Sequence, residues 1–136
     1  MGKLEVHHLG VAVDDLGGGI EVYTRLFGAT VEHRAVVPDQ GVEAASLRVG
    51  NSRIELLAAL APDTPVGRFL AKRGPGMHHV AFAVADLPAE VARLRAGGVR
   101  LIDEAPRPGL FGLQVAFVHP EATGGVLAEL VADGDG

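Results

Sequence analysis

The sequence predicts an α+β fold built from two βαβββ modules within one domain, residues 1–136. Three observations carry that expectation. The decad HHLGVAVDDL at residues 7–16 returns as HHVAFAVADL at residues 78–87, with six of the ten positions identical. A recurrence at about half the chain length marks an internal duplication and not a solenoid. Each decad is followed by the same signals, one helical stretch and then three strand-like stretches. Finally, neither half, at about 65 residues, would bury its apolar sheet face well alone. The repeats run over about 4–60 and 75–132, with a connector over about 61–77.

The elements follow in order. Leu16 to Phe27 carries Ile20, Tyr23, Leu26 and Phe27 at helical spacing, and Gly28 stops the helix. Leu87 to Ala96 carries Val91 and Leu94 in the same way, and Gly97-Gly98 ends it. Asp15 and Asp86 stand just ahead of these helices, where a carboxylate caps free backbone N–H groups. Strands are expected over 29–37, 42–49 and 52–58, with Gly50-Asn51 as a hairpin turn. The second repeat should match them with strands over 99–103, 113–118 and 125–132. In the connector, Pro62 and Pro65 interrupt the chain, and Val66 to Arg73 forms a short helix.

Composition narrows the function. Apolar residues make up 48% and charged residues 21%, a globular balance. The absence of cysteine removes disulfides, thiolate metal sites and a cysteine nucleophile. A formal charge of −5 argues against nucleic acid or an anionic membrane as partner, although a local basic patch can still hold an anionic ligand. Aromatics are 4% with no Trp, too few for a base-stacking surface. No signal peptide or spanning segment is apparent, so a cytoplasmic location is expected.

Strand parity then selects among the histidines. Alternate residues face opposite sides of a sheet. His7, Leu9, Val11 and Val13 form a bulky face suited to pack under a helix, whereas His8, Gly10 and Ala12 form a face of small residues. In the second repeat His78, Val80, Phe82 and Val84 are the bulky set, and His79, Ala81 and Ala83 the small one. His8 and His79 are therefore the open-face histidines. Carboxylates recur too, as Glu55 in RIELL and Glu129 in LAELV, each inside the last strand of its repeat. Ionised carboxylates in apolar strands are costly unless paired or bound to a cation. Two imidazoles and two carboxylates suit a divalent cation of intermediate softness, such as Co, Ni, Mn, Fe or Zn.

These residues resemble the vicinal oxygen chelate superfamily, whose paired βαβββ modules form a metal-centred half-barrel cleft. It includes glyoxalase I, extradiol dioxygenases, bleomycin-binding proteins and methylmalonyl-CoA epimerases. The remaining stretches resemble the epimerase family across nearly the whole chain. PDQGV at 38–42 is similar to the family's E-Q-G-V, and the connector 61–79, APDTPVGRFLAKRGPGMHH, follows its long Pro-, Lys- and Gly-marked segment. RLIDEAPRPG (100–109), VAFVHP (115–120) and GGVLAEL (124–130) complete the match. Two positions depart from it. Glu121 stands where many epimerases have Lys after the His-Pro pair. Ala44 stands where some bacterial members carry a proposed second base, and the nearest carboxylate, Glu43, is one residue out of step.

The resemblance implies epimerisation of (R)- and (S)-methylmalonyl-CoA by removal and return of the C2 proton through an enolate. It implies His8, Glu55, His79 and Glu129 as ligands of a divalent metal (Co, alternatively Mn, Ni, Zn or Mg), with Glu129 as first base. Glu55, the symmetry-related ligand, is a candidate for exchanging protons as well, and Glu43 is a weaker candidate for the second face, aimed at the other side by parity. Gln40 is a candidate donor to the substrate carboxylate. Arg107, with Arg68, Lys72 and Arg73, is a candidate for the CoA phosphates, and Gly109 to Gly112 is a candidate cover loop. An acyl-CoA substrate and a homodimer are the implied partners. A glyoxalase I-like lactoylglutathione lyase and a non-catalytic bleomycin-resistance-type protein are the alternatives.

Overall fold

A computed structural model describes residues 4–133, which divide into two compact units. One comprises residues 8–78; the other comprises the described residues up to His7 together with those from His79 onward. The divisions fall inside two strands, β1 (Glu5–Ala12) and β5 (Gly76–Val84), between the histidines of each His-His pair.

In the unit of residues 8–78, β1 leads into α1 (Leu16–Phe27) and three strands, β2 (Thr30–Val37), β3 (Val42–Val49) and β4 (Ser52–Ala59). The caps fix α1 as its sequence predicts. Asp15 accepts a hydrogen bond from Gly18 N–H at 2.9 Å, and Gly28 closes the helix in the left-handed region at φ 68°. β2, β3 and β4 are joined in antiparallel succession and β1 pairs parallel to β4. Gly50 (φ 59°) and Asn51 make the two-residue turn between Val49 and Ser52, which are paired. The register holds one irregularity, between Val31 and His33 on β2.

Parity is realised as expected. Val11 and Val13 pack with Leu16, Ile20, Tyr23, Leu47 and Leu56 in the core under α1. The opposite face carries Gly10, Glu55 and Ser46 as one cross-strand row. The connector then forms α2 (Pro65–Arg73), begun by Thr64, whose hydroxyl accepts from Gly67 N–H at 3.0 Å. Phe69 of α2 meets the His78 ring edge-on, centroids 4.9 Å apart.

In the other unit, β5 is followed by α3 (Leu87–Ala96), capped by Asp86 through Ala89 N–H at 3.1 Å. Three strands complete it, β6 (Arg107–Pro108), β7 (Gln114–Val118) and β8 (Ala128–Ala132). β8 pairs parallel to β5 and antiparallel to β7, which pairs antiparallel to β6. Val84, Leu87, Val91, Ala116, Val118 and Leu130 form the core beneath α3, with Val80 and Phe82 packed against it.

Two strands of this unit depart from the sequence expectation. Residues 99–103 do not form a continuous strand. Leu101 makes a single bridge to Val118, and at Asp103 the side chain replaces the ladder, its Oδ2 accepting from Phe117 N–H at 2.8 Å. Pairing resumes only in the two residues of β6. The last strand starts at Ala128 and not at 125, because Pro120–Thr123 forms a 3-10 turn and Gly124 and Gly125 take positive φ values.

The glycines within the helices differ in what they tolerate. A Cβ at Gly67 would lie 2.4 Å from the Ala61 carbonyl oxygen, whereas a Cβ at Gly17 would meet nothing within 4 Å. Gly67→Ala should therefore lower stability by about 1–3 kcal/mol through overpacking. Gly17→Ala, within α1, should raise it by about 0.5–1 kcal/mol. Denaturant midpoints of the two variants check both signs.

Glu32 supports a second prediction. Partial burial acts to raise its pKa, but hydrogen bonds and charge from Arg53 and Arg48, at 3.1 and 3.3 Å, hold its carboxyl below the ordinary value of 4.5. A lowered folded pKa stabilises the protein fully above the unfolded value, and that contribution disappears as pH falls through the folded one. Glu32→Gln should remove this part of the acid-side loss of stability, read as a shallower decline in melting temperature below about pH 4.5.

Candidate functional site

Each unit presents one imidazole–carboxylate pair, on the sheet face away from its long helix. In the unit of residues 8–78, His8 Nδ1 lies 3.2 Å from Glu55 Oε2. The two residues are 3% and 4% exposed. Their placement follows from the register. Gly10 on β1 is the partner of Glu55 on β4, and the absence of a side chain there leaves the carboxylate room beside His8. On the other side of Glu55 stands Ser46, also buried, a polar neighbour that sequence reading missed because it lies in an apolar run of β3.

In the other unit, His79 Nε2 lies 3.4 Å from Glu129 Oε1, with residue exposures of 5% and 6%. Ala81 is the register partner of Glu129 on one side and Phe117 on the other. The Phe117 ring meets the His79 ring edge-on, with centroids 5.9 Å apart and planes at 80°. Ala81, Val115 and Val131, with Phe117 and Leu113 against them, give this face an apolar surround. The equivalent pairs thus differ in detail, since His8 turns its Nδ1 to the carboxylate and His79 its Nε2.

Buried carboxylates among apolar side chains need a compensating charge. A facing imidazole supplies one when protonated; a divalent cation supplies more. Neutral imidazole nitrogen and carboxylate oxygen are also the donors that cobalt, nickel, manganese and zinc accept. The donor chemistry of both pairs therefore fits a divalent metal.

The remaining predicted residues fall in different places. Glu43 shares its side of β3 with Ala45 and Leu47, opposite Ser46, and pairs with Arg34 at 3.4 Å. Gln40 ends a 3-10 turn, Pro38–Gln40, and is half-buried. Arg68 donates to the Asp63 carbonyl at 2.6 Å, and Arg73 lies over the Phe69 ring. Lys72 is exposed near the end of α2. Arg107 lies over the Phe117 ring, 5.4 Å from its centroid, and its Nε donates to Asp103 Oδ1 at 2.8 Å. Gly112 ends the tight turn Leu110–Gly112, in which Phe111 holds φ 56°, an unusual conformation for a non-glycine residue. Glu121 pairs with Arg100 at 2.6 Å, and that guanidinium holds its carboxyl below the usual range.

With the fold and the two pairs in view, comparison with known proteins gives the family. The chain belongs to the Glyoxalase/Bleomycin resistance protein/Dioxygenase superfamily, whose model matches residues 7–117. Within it, the chain is 36% identical over 131 residues to the human mitochondrial methylmalonyl-CoA epimerase, covering 96% of this chain and 73% of that protein. Methylmalonyl-CoA epimerase from Mycobacterium tuberculosis is 41% identical, with a TM-score of 0.89 over 93% of this chain and 85% of its own. A methylmalonyl-CoA epimerase solved in complex with methylmalonyl-CoA and NH4+ is 38% identical, with a TM-score of 0.92 over 96% of this chain and 94% of its own. The expected family and fold class are borne out.

The pairs carry a stability prediction. In chelator-treated protein, Glu129→Gln should melt higher than wild type, because it removes a buried ionisable carboxylate. Addition of a divalent cation should reverse the order, since a ligand bound to the folded state stabilises it. Thermal melts with chelator and with added cobalt measure both effects.

Proposed function

We propose that this protein interconverts the two C2 epimers of methylmalonyl-CoA, and that His8, Glu55, His79 and Glu129 hold a divalent cation for the reaction. The observation supporting it is the recurrence of a buried imidazole–carboxylate pair at equivalent repeat positions. It occurs in a chain related over most of its length to methylmalonyl-CoA epimerases. When bound, the cation supplies positive charge that stabilises the negative charge growing on the thioester oxygen.

The chain's own residues carry the proton. The C2 hydrogen is acidic because it lies between a thioester and a carboxylate, so its loss leaves a delocalised enolate. Epimerisation removes this proton on one face and delivers one on the other, which calls for two acid–base groups or one mobile group. The repeat supplies one glutamate per module. Glu129 accepts the C2 proton in one direction and Glu55 serves the opposite face. Their burial limits exchange with bulk water. Glu43, on the far side of β3 and paired with Arg34, has no part in this assignment.

The test strips the protein with chelator, reloads it with cobalt and follows solvent deuterium entering C2 of methylmalonyl-CoA. Metal-dependent exchange is expected, and Glu129→Gln should slow it at least about 100-fold, the lower end of what a positioned base contributes. Bound cobalt, measured directly, should fall in His8→Ala and in His79→Ala. No exchange, with turnover of the methylglyoxal–glutathione hemithioacetal, would replace the reading by a glyoxalase-like one. No bound metal and no turnover would favour a ligand-binding module.

A further inference from the structure

We infer that Arg107 recognises the free carboxylate of the acyl group and so sets the preference for malonyl-type thioesters, with Asp103 as its positioning residue. The inference rests on the acyl-CoA reading above and deepens it. Three observations within the unit that holds His79 and Glu129 carry it.

The first is register. Arg107 is paired with Val115, and Val115 with Val131, two residues along β8 from Glu129. Residues two apart on a strand share a face, so Arg107 and Glu129 lie on the same side of the sheet, on strands separated by β7, with Phe117 of β7 between them. The second is stacking. The Arg107 guanidinium lies over the ring of Phe117, which is itself the register partner of Glu129 and the edge-on neighbour of His79. The third is a tether. One oxygen of Asp103 accepts from Phe117 N–H and the other from Arg107 Nε, both at 2.8 Å. A single carboxylate thus fixes the arginine and the strand beneath it together.

An arginine on an open surface samples many rotamers, and ordering it on a ligand is costly. Here stacking and the tether restrict it beforehand, while its side chain keeps 36% exposure. A planar guanidinium so held suits a carboxylate. The other described arginines of this unit are placed elsewhere. Arg93 and Arg95 lie on α3, beyond the opposite face, and Arg100 is paired with exposed Glu121. Position also chooses between the anionic groups of the substrate. The acyl carboxylate is bonded directly to C2, where Glu129 acts, whereas the CoA phosphates lie at the far end of the pantetheine arm.

The experiment compares wild type, Arg107→Ala, Arg107→Lys and Asp103→Asn, all cobalt-loaded, by deuterium exchange on methylmalonyl-CoA and on methylmalonyl-pantetheine, which lacks the nucleotide phosphates. Arg107→Ala should raise KM about 10- to 100-fold on both thioesters, the size of a lost charge-assisted hydrogen bond. Arg107→Lys should recover part of that loss. Asp103→Asn should raise KM with kcat little altered and cobalt content unchanged. Propionyl-pantetheine, which has no carboxylate, should inhibit wild type and Arg107→Ala equally. A KM effect confined to methylmalonyl-CoA would assign Arg107 to the phosphates and overturn the inference, as would wild-type kinetics in Arg107→Ala. If Asp103→Asn fails to fold, the two Arg107 variants decide alone. Wild type inactive on both thioesters would instead overturn the epimerase reading and take this inference with it.

Discussion

Two glutamates buried in the middle of apolar strands are the constraint around which the rest of the molecule is arranged. A carboxylate at Glu55 or Glu129 needs a compensating partner, which a facing imidazole or a divalent cation supplies, and a small residue on the neighbouring strand leaves room for it. Gly10 and Ala81 meet that demand at equivalent positions of the two repeats. The bulky residues required for folding are displaced to the other side, where Val11 and Val13 pack under α1 and Val80 and Phe82 under α3. Each strand therefore performs two tasks on alternate residues. The helix side supplies hydrophobic stabilisation, and the other side carries groups whose burial works against it.

Much of this was legible in the sequence because the information was local. Both long helices have the predicted limits, since Asp15 and Gly28 bound α1 and Asp86 and Gly97 bound α3 through contacts within a turn. The hairpin at Gly50-Asn51 depends on backbone conformation alone. Alternation of large and small side chains assigned the faces of β1 and β5, and the repeat turned two unremarkable histidines and two glutamates into equivalent pairs. The same alternation sets Glu43 on the side of β3 that carries Ala45 and Leu47, opposite Ser46.

What the sequence concealed depends on partners distant along the chain. Residues 99–103 have the composition of a strand, yet Asp103 gives its carboxylate to a backbone N–H fourteen residues away and the ladder stops. Arg107 reads as one surface charge among several until Phe117 and Asp103 are brought to it. Ser46 is hidden in a run of apolar residues, and only the pairing of β3 with β4 sets it beside Glu55. Glu121 breaks the family pattern in the sequence; in the structure it has Arg100 as a partner.

The Asp103 tether has a further effect, on solubility. Between the Leu101 bridge and β6, β7 would otherwise offer its Phe117 amide to an extended segment of another chain, and exposed edges of that kind seed aggregation. The bridge at Leu101 occupies part of that edge. The Phe117 amide is taken by a side-chain carboxylate, which caps the edge without extending it, because a carboxylate has no N–H to offer the next strand. This stretch of β7, between the Leu101 bridge and β6, is therefore closed by a charged group that cannot propagate β-pairing, and a device that fixes a guanidinium also guards the protein against association at this point of the strand.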